Sequence, residues 1–210
     1  MLAILDLDYT LLDTTAFKRA LTASLEPMGV TNDEFYETYG AVAHAIPGQH
    51  GYSFEAQAKL LHEKYGHDEQ EILTRLSSVY EILPSFLYPD STPFLAFLAE
   101  KDVPAVLFTW ANPEHQQAKV KGLGIEKFLA KVVITSEAKG TAELELSAPQ
   151  SEWVFLNDNP NEIRALAARY PESRAIRIKR PDGKKFPPEE DVLDVPTFAT
   201  LSEAQHALFA

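Results

Sequence analysis

The stretch Leu2-Ala3-Ile4-Leu5-Asp6-Leu7-Asp8-Tyr9-Thr10-Leu11-Leu12-Asp13 decides the fold. Residues 2–7 form a short, almost continuous apolar run, the pattern of a strand buried on both faces of a parallel sheet. Asp6 punctuates it, and a carboxylate at the end of a buried strand is costly unless something offsets its charge. Asp8 follows two residues later. Two close carboxylates repel, and a hard cation with oxygen ligands, such as Mg²⁺, reconciles them while also pairing with phosphate. Taken singly, Asp8 and Asp13 also suit turn or cap positions.

Working outward, residues 103–108, 131–134 and 153–156 repeat the character of the first run, and 175–178 offers a fifth. Helical patterns lie between them. Ser91-Thr92-Pro93 offers a hydroxyl cap and then proline ahead of Phe94, Leu95, Phe97 and Leu98, and Asn112-Pro113 and Asn159-Pro160 repeat the device. Strands alternating with helices predict an α/β fold, a doubly wound parallel sheet with right-handed crossovers. Ligands of such sheets bind at the strands' carboxyl ends.

Residues 14–88 break the alternation. Thr31-Asn32-Asp33-Glu34 is a capping box, Asp68 can cap another helix, and 16–28 and 54–64 carry helical periodicity. A helical insertion of this length exceeds an ordinary loop and reads as a cap, residues 14–88, on a core made of 1–13 and 89–210. Gly48-Gln49-His50-Gly51 marks a loop within it. Residues 180–196 read as surface turns before a short last helix, with Lys179, Arg180, Lys184 and Lys185 as a solvated surface.

Composition narrows the function. The chain has 31 Asp and Glu against 19 Lys and Arg, a net charge of −12, and such a field repels nucleic acid and anionic membrane surfaces. An anionic substrate must then be met by local cations or metal. The absence of cysteine excludes disulfide frameworks, thiolate zinc sites, iron–sulfur clusters and cysteine nucleophiles. It points to the cytoplasm, and the first residues carry neither a signal-peptide pattern nor a membrane span. No phosphate loop of the Walker type occurs, and Gly122-Leu123-Gly124 lacks the third glycine of a dinucleotide fingerprint.

Asp6-Leu7-Asp8-Tyr9-Thr10-Leu11 on a first strand resembles the opening motif of the haloacid dehalogenase (HAD) superfamily. Three further features follow in the superfamily's order. Val106-Leu107-Phe108-Thr109 resembles its second motif, a strand ending in a phosphate-binding hydroxyl, and Lys139 resembles its third. Trp153-Val154-Phe155-Leu156-Asn157-Asp158 resembles its fourth, a strand that delivers a metal-binding acid. Lys119, Lys121, Lys127 and Lys131 compete for the lysine role, but Lys139 follows the 132–134 run and precedes Asp158 by a short crossover.

The resemblance implies a Rossmann-like core and a phosphatase-type hydrolase acting on a small phosphorylated metabolite. In that scheme Asp6 attacks phosphorus to form an aspartyl-phosphate, and Asp8 protonates the leaving oxygen and then activates water. Mg²⁺ sits on Asp6, the Asp8 backbone carbonyl and Asp158, while Lys139 adds positive charge and Thr109 holds the non-bridging oxygens. Glu162 either supplies a second metal-site acid, four residues after Asp158, or caps the helix opened by Asn159-Pro160. Asn112 and His50 complete the substrate-binding candidates, and Lys18 and Arg19 either meet the substrate or solvate a helix face. Tyr9 and Asn157 stand where the family often has smaller residues. Asp8 argues against the superfamily's dehalogenases and phosphonatases, which lack an acid there. A phosphosugar mutase and a non-catalytic phospho-ligand binding protein are the alternatives.

Overall fold

A computed structural model describes residues 1–46, 50–191 and 194–209 of the chain. Six strands, β1 (Leu2–Leu5), β2 (Ala105–Trp110), β3 (Lys131–Thr135), β4 (Trp153–Asn157), β5 (Arg174–Ile178) and β6 (Thr197–Phe198), form one parallel sheet in the order β3-β2-β1-β4-β5-β6. The chain lays down three strands in one direction from β1 and then crosses to its other side, so the switch point falls between β1 and β4. Leu5 registers with Leu107 on one neighbour and Leu156 on the other. Asp6, Thr109 and Asp158 therefore leave adjacent strands at the same edge, where ligands of open α/β sheets bind.

Among the described residues between β1 and β2 lie four helices, α1 (Thr14–Leu25), α2 (Asn32–Ala43), α3 (Phe54–Tyr65) and α4 (Glu69–Ser78), followed by 3₁₀ turns over Val79–Phe86. Side-chain caps open all four. Asp13, Thr31, Ser53 and Asp68 accept from the backbone amides of Ala16, Glu34, Ala56 and Glu71, and Thr31 and Glu34 close the expected reciprocal box. α1 starts two residues before the predicted periodicity because Asp13 caps it. Its last predicted turn, Glu26–Met28, is a separate 3₁₀ segment containing Pro27, which has no amide proton to continue the helix. The two strands of chain that join these helices to the sheet run side by side, with the Asp13 amide donating to Phe86 O and the Tyr88 amide to Leu11 O.

The remaining helices are α5 (Ser91–Glu100), α6 (Pro113–Leu123), α7 (Pro160–Arg169) and α8 (Leu201–Phe209). Asn112 and Asn159 cap α6 and α7 with proline at the first helical position. One apolar core runs without a break from Phe35, Leu61 and Leu76 in the inserted helices to Leu5, Leu107 and Leu156 in the sheet, while Ile4, Val106, Phe155 and Trp153 fill the opposite sheet face. No helix among the described residues is long and apolar enough to cross a membrane.

Two local expectations are corrected. Ser91 is not the cap of α5: its hydroxyl donates to Leu11 O (2.7 Å), and Asp90 stands at the cap position. Arg180 is not a solvated surface residue but is buried, gripping Asp90 with both terminal nitrogens (2.9 and 2.8 Å), donating to Thr10 O (2.8 Å) and lying 4.0 Å over the Tyr88 ring. Asp90 also accepts from the Leu201 amide. A residue read as part of a turn thus ties the tail, and with it the short edge strand β6, to the loop that follows Asp8. Burial alone would raise the Asp90 carboxyl, but Arg180 and the Leu201 amide outweigh it and hold it below the ordinary range.

Arg180→Ala is expected to destabilise the fold by about 3 kcal/mol in urea denaturation, because it strands a half-buried carboxylate. Lys185→Ala, on the exposed part of the same turn, is expected to change stability by less than about 0.5 kcal/mol. The Arg180 contribution is present at neutral pH and is lost as pH falls through the lowered Asp90 pKa. A loss that matches Lys185→Ala would remove the tie.

Candidate active site

The strand ends and the inserted helices enclose a cavity of about 350 Å³. Its floor is built around one buried ammonium. Lys139, in the turn after β3, places Nζ 2.5 Å from Asp6 Oδ1 and 2.7 Å from Glu162 Oε2. The turn reaches this depth because Gly140 packs on α7, where a Cβ would lie 2.5 Å from the Cβ of Ala165. Asp6 is fixed from below by its amide, which donates to Leu156 O (2.9 Å) and extends the β1–β4 pairing by one residue.

Glu162 resolves its two sequence readings in an unexpected way. Asn159 caps α7 with its side chain, but the Asn159 amide donates to Asn157 Oδ1 (2.8 Å) rather than to Glu162, so the reciprocal half of a capping box is missing. The Glu162 carboxylate instead receives Lys139, Asn157 Nδ2 (2.8 Å) and Asn159 Nδ2 (3.1 Å). Both of its oxygens are engaged by protein donors, which makes it the anchor of Lys139.

Asp8 is held separately. Lys119 Nζ donates to Oδ1 at 2.6 Å, Thr14 Oγ1 to Oδ1 at 2.8 Å, and Gln116 Nε2 to Oδ2 at 2.9 Å. Gln116 Nε2 also donates to Thr109 Oγ1 (2.7 Å), which leaves the Thr109 hydroxyl its own proton to donate. The turn carrying these groups is tight: the amides of Thr10, Leu11 and Leu12 all return to Leu7 O, and Tyr9 takes a left-handed φ of 61°. That conformation is uncommon for a bulky residue and is maintained here by the surrounding bonds.

The electrostatics follow from these contacts. Burial raises the Asp6 carboxyl above the ordinary range, with Lys139 opposing and Glu162 and Asp8 adding to the rise. Burial would lower Lys139, but Asp6 and Glu162 outweigh it and keep the ammonium charged. Burial would raise Asp8, yet Lys119, Gln116 and Thr14 hold it well below its usual value and ionised. Asp158 is the exception. It lines the cavity, burial together with Asp6 and Glu162 raises it well above its ordinary pKa, and its carboxylate makes no hydrogen bond or ion pair with any described residue.

Among the described residues, no group of three or more histidine or acidic side chains converges as a ready-made metal cage. The Asp8 and Glu162 carboxylates have both oxygens engaged by protein donors, whereas Asp6 gives Lys139 only Oδ1. What remains is Asp6 and Asp158, two buried oxygen donors at the ends of neighbouring strands, one of them unpartnered. A buried carboxylate without a counter-charge is unfavourable, and hard oxygen donors suit a hard divalent cation, so this pair fits Mg²⁺.

The structure brings Asp6, Asp8, Thr109, Lys139, Asp158, Glu162 and His50 together around one cavity. Asn112 is not among its lining residues; its side-chain Oδ1 accepts from the His115 amide (3.1 Å) as a cap. His50 belongs to the expected Gly48-Gln49-His50-Gly51 loop, of which Gly48 and Gln49 lie outside the described residues. Its ring packs edge-on against His44 and Trp110, and Nδ1 is buried without a partner. Lys18 lines the cavity, whereas Arg19 is exposed. Sequence reasoning missed Gln116 as a site residue and placed Lys119 only among the competing lysines. Both lie on the buried side of α6 with Val120 and Leu123, and two polar residues on the apolar face of a helix were the available signal.

A family model described as haloacid dehalogenase-like hydrolase matches residues 1–169. No curated protein matches the chain. Among solved structures, a haloacid dehalogenase-like hydrolase from Burkholderia xenovorans is 17% identical, with 100% of this chain and 98% of that one covered at a TM-score of 0.75. The HAD-hydrolase YfnB from Bacillus subtilis, described as bound to magnesium, is 14% identical over 99% of this chain and 98% of its own, at a TM-score of 0.64. L-2-haloacid dehalogenase from Xanthobacter autotrophicus is 13% identical over 99% and 98%, at a TM-score of 0.61. At these identities the structural matches speak for the fold, and the family match covers most of the sequence. With its parallel sheet, its strand-end acids and this match, the chain belongs to the haloacid dehalogenase-like hydrolases.

Proposed function

We propose that the enzyme is a Mg²⁺-dependent phosphatase that hydrolyses a small phosphorylated metabolite through an aspartyl-phosphate on Asp6. One observation carries the choice within the family: Asp8 presents its carboxyl at the cavity, fixed by Lys119, Thr14 and Gln116. The resemblance gives the superfamily's dehalogenases no acid at that position. An elaborate set of donors around an acid that had no task would be hard to explain. A dehalogenase among the structural matches shares the fold but does not bear on this choice.

In this reading Asp6 Oδ attacks phosphorus while the bond to the leaving oxygen breaks. The leaving oxygen takes a proton from the Asp8–Lys119 pair rather than from Asp8 alone, since Lys119 holds Asp8 in its ionised form. Asp8 then accepts a proton from the water that attacks the phosphoryl group and releases Asp6. Thr109 donates to a non-bridging oxygen, and Lys139, anchored by Glu162, offsets charge on Asp6. Mg²⁺, held by Asp6 and Asp158, would neutralise charge between the attacking carboxylate and the phosphate. The description of YfnB as magnesium-bound supports that assignment by analogy of fold. We further propose that residues 14–88 act as the cap, covering the reacting groups from water.

Asp6→Asn is expected to abolish Mg²⁺-dependent phosphate release from a generic aryl phosphate while retaining the circular dichroism of the wild type. Continued turnover by the folded variant, or isomerisation of a sugar phosphate by the wild type without phosphate release, would contradict the assignment. Asp158→Asn should raise metal-free stability by about 1–2 kcal/mol, because it removes a buried charge without a partner. Mg²⁺ should then raise the melting temperature of the wild type and not that of Asp158→Asn. Equal stabilisation of both by Mg²⁺ would place the metal elsewhere.

A further inference from the structure

The cavity wall carries four lysines and four carboxylates, Lys18, Lys119, Lys139 and Lys184 against Asp6, Asp8, Asp158 and Glu162. Lys119 is bound to Asp8, and Lys139 to Asp6 and Glu162. Lys184 stands exposed at the rim. Lys18 is different: it enters from α1, its Nζ lies 4.3 Å from the centroid of the Tyr39 ring and 3.5 Å from the Tyr9 hydroxyl, and no carboxylate of any described residue pairs with it. Burial, helped by Lys119 and Lys184, lowers it to about 8, against the pull of Asp8. In a chain of net charge −12, an ammonium drawn out of water without an acidic partner asks for an anion from outside.

Among the described residues, only the exposed Lys184 at the rim is another cation of that wall without an acidic partner. Burial pushes His50 down to about 4 and His115 to about 3, so both rings are neutral at pH 7. Phe17, Tyr39, Tyr52 and Trp110 make the rest of the wall largely aromatic. A volume of about 350 Å³ is at the small end for a ligand site, and the phosphoryl group takes the floor of it. A few-carbon skeleton fits above.

We infer that the substrate is a small phosphate monoester whose leaving portion carries a second anionic group, a carboxylate or a second phosphate, and that Lys18 binds that group. The inference rests on the phosphatase reading and names its substrate class. Lys18 is then a specificity-determining residue, selecting by charge on the wall of the cavity. An ammonium is a point charge with three donors and receives either anion.

Three esters with the same carbon count separate the possibilities: ethyl phosphate, phosphoglycolate and ethane-1,2-diol bisphosphate. The wild type should favour one or both of the anionic esters over ethyl phosphate in kcat/KM by roughly 10- to 100-fold, the size of one charge-assisted hydrogen bond. Whichever of the two is preferred identifies the anion as carboxylate or phosphate. Lys18→Gln should remove that preference chiefly through KM, Lys18→Arg should restore most of it, and Arg19→Gln, one residue along on the exposed face of α1, should leave the preference ratio as in the wild type. Hydrolysis of all three esters without preference, or a preference that survives in Lys18→Gln, would overturn the inference and leave the phosphatase reading standing. Absence of turnover on any of them and on p-nitrophenyl phosphate would overturn both.

Discussion

The site depends on an ammonium that cannot leave. Lys139 is 1% exposed and is bound by two carboxylates, and an ion in that position is tolerable only if its partners are close and are themselves satisfied. The neighbouring sequence meets that demand. Asn157 and Asn159 occupy Glu162, Gly140 lets the turn close onto α7, and the extension of β1 by the Asp6 amide sets the acid opposite the lysine. The strand order supplies the rest, because only with β1 between β2 and β4 do Asp6, Thr109 and Asp158 emerge together.

A second lysine divides the remaining acids. Lys119 secures Asp8, so that two separate ion-pair systems sit a short distance apart, one about Asp6 and one about Asp8. Among the described residues that division leaves one acid and one cation on the wall without a partner of opposite charge, Asp158 and Lys18, apart from the exposed Lys184. On the proposed reading these are the places that external charge fills, a divalent cation at the first and a substrate anion at the second. The stability forgone by leaving both unpaired is consistent with a binding site rather than with a structural network.

Much of this arrangement was legible before any coordinates. The unbroken apolar run of β1, the asparagine–proline helix starts and the capping box at Thr31 are local features whose physics does not depend on distant contacts, and the parallel sheet followed from their alternation. Asp6, Thr109, Lys139 and Asp158 could be singled out because each matches a motif of the family and lies at or just past the end of an apolar run, and the fold brings all four to one cavity. The residues that escaped act over long separations in sequence. Arg180 looked like part of a basic turn until Asp90 and Thr10 were brought to it, and Gln116 and Lys119, on the apolar face of α6, have no partner in sight until Asp8 is placed against that helix. Asn112 was read both as part of a helix start and as a substrate contact; its side chain caps α6 and it does not line the cavity. Glu162 was ambiguous because its spacing suited a cap and a metal site alike, and the partner that decided the matter, Lys139, lies 23 residues away on another turn.

The central claim is that Asp6 carries the phosphoryl group. An acyl phosphate is reduced by borohydride to an alcohol, whereas a free carboxylate is not. Enzyme quenched during steady-state turnover of a phosphate ester, treated with borohydride and digested, should yield homoserine at position 6 in the N-terminal peptide, and enzyme quenched without substrate should yield aspartate there. Aspartate alone at position 6, in samples that are releasing phosphate under conditions where the intermediate accumulates, would contradict the account.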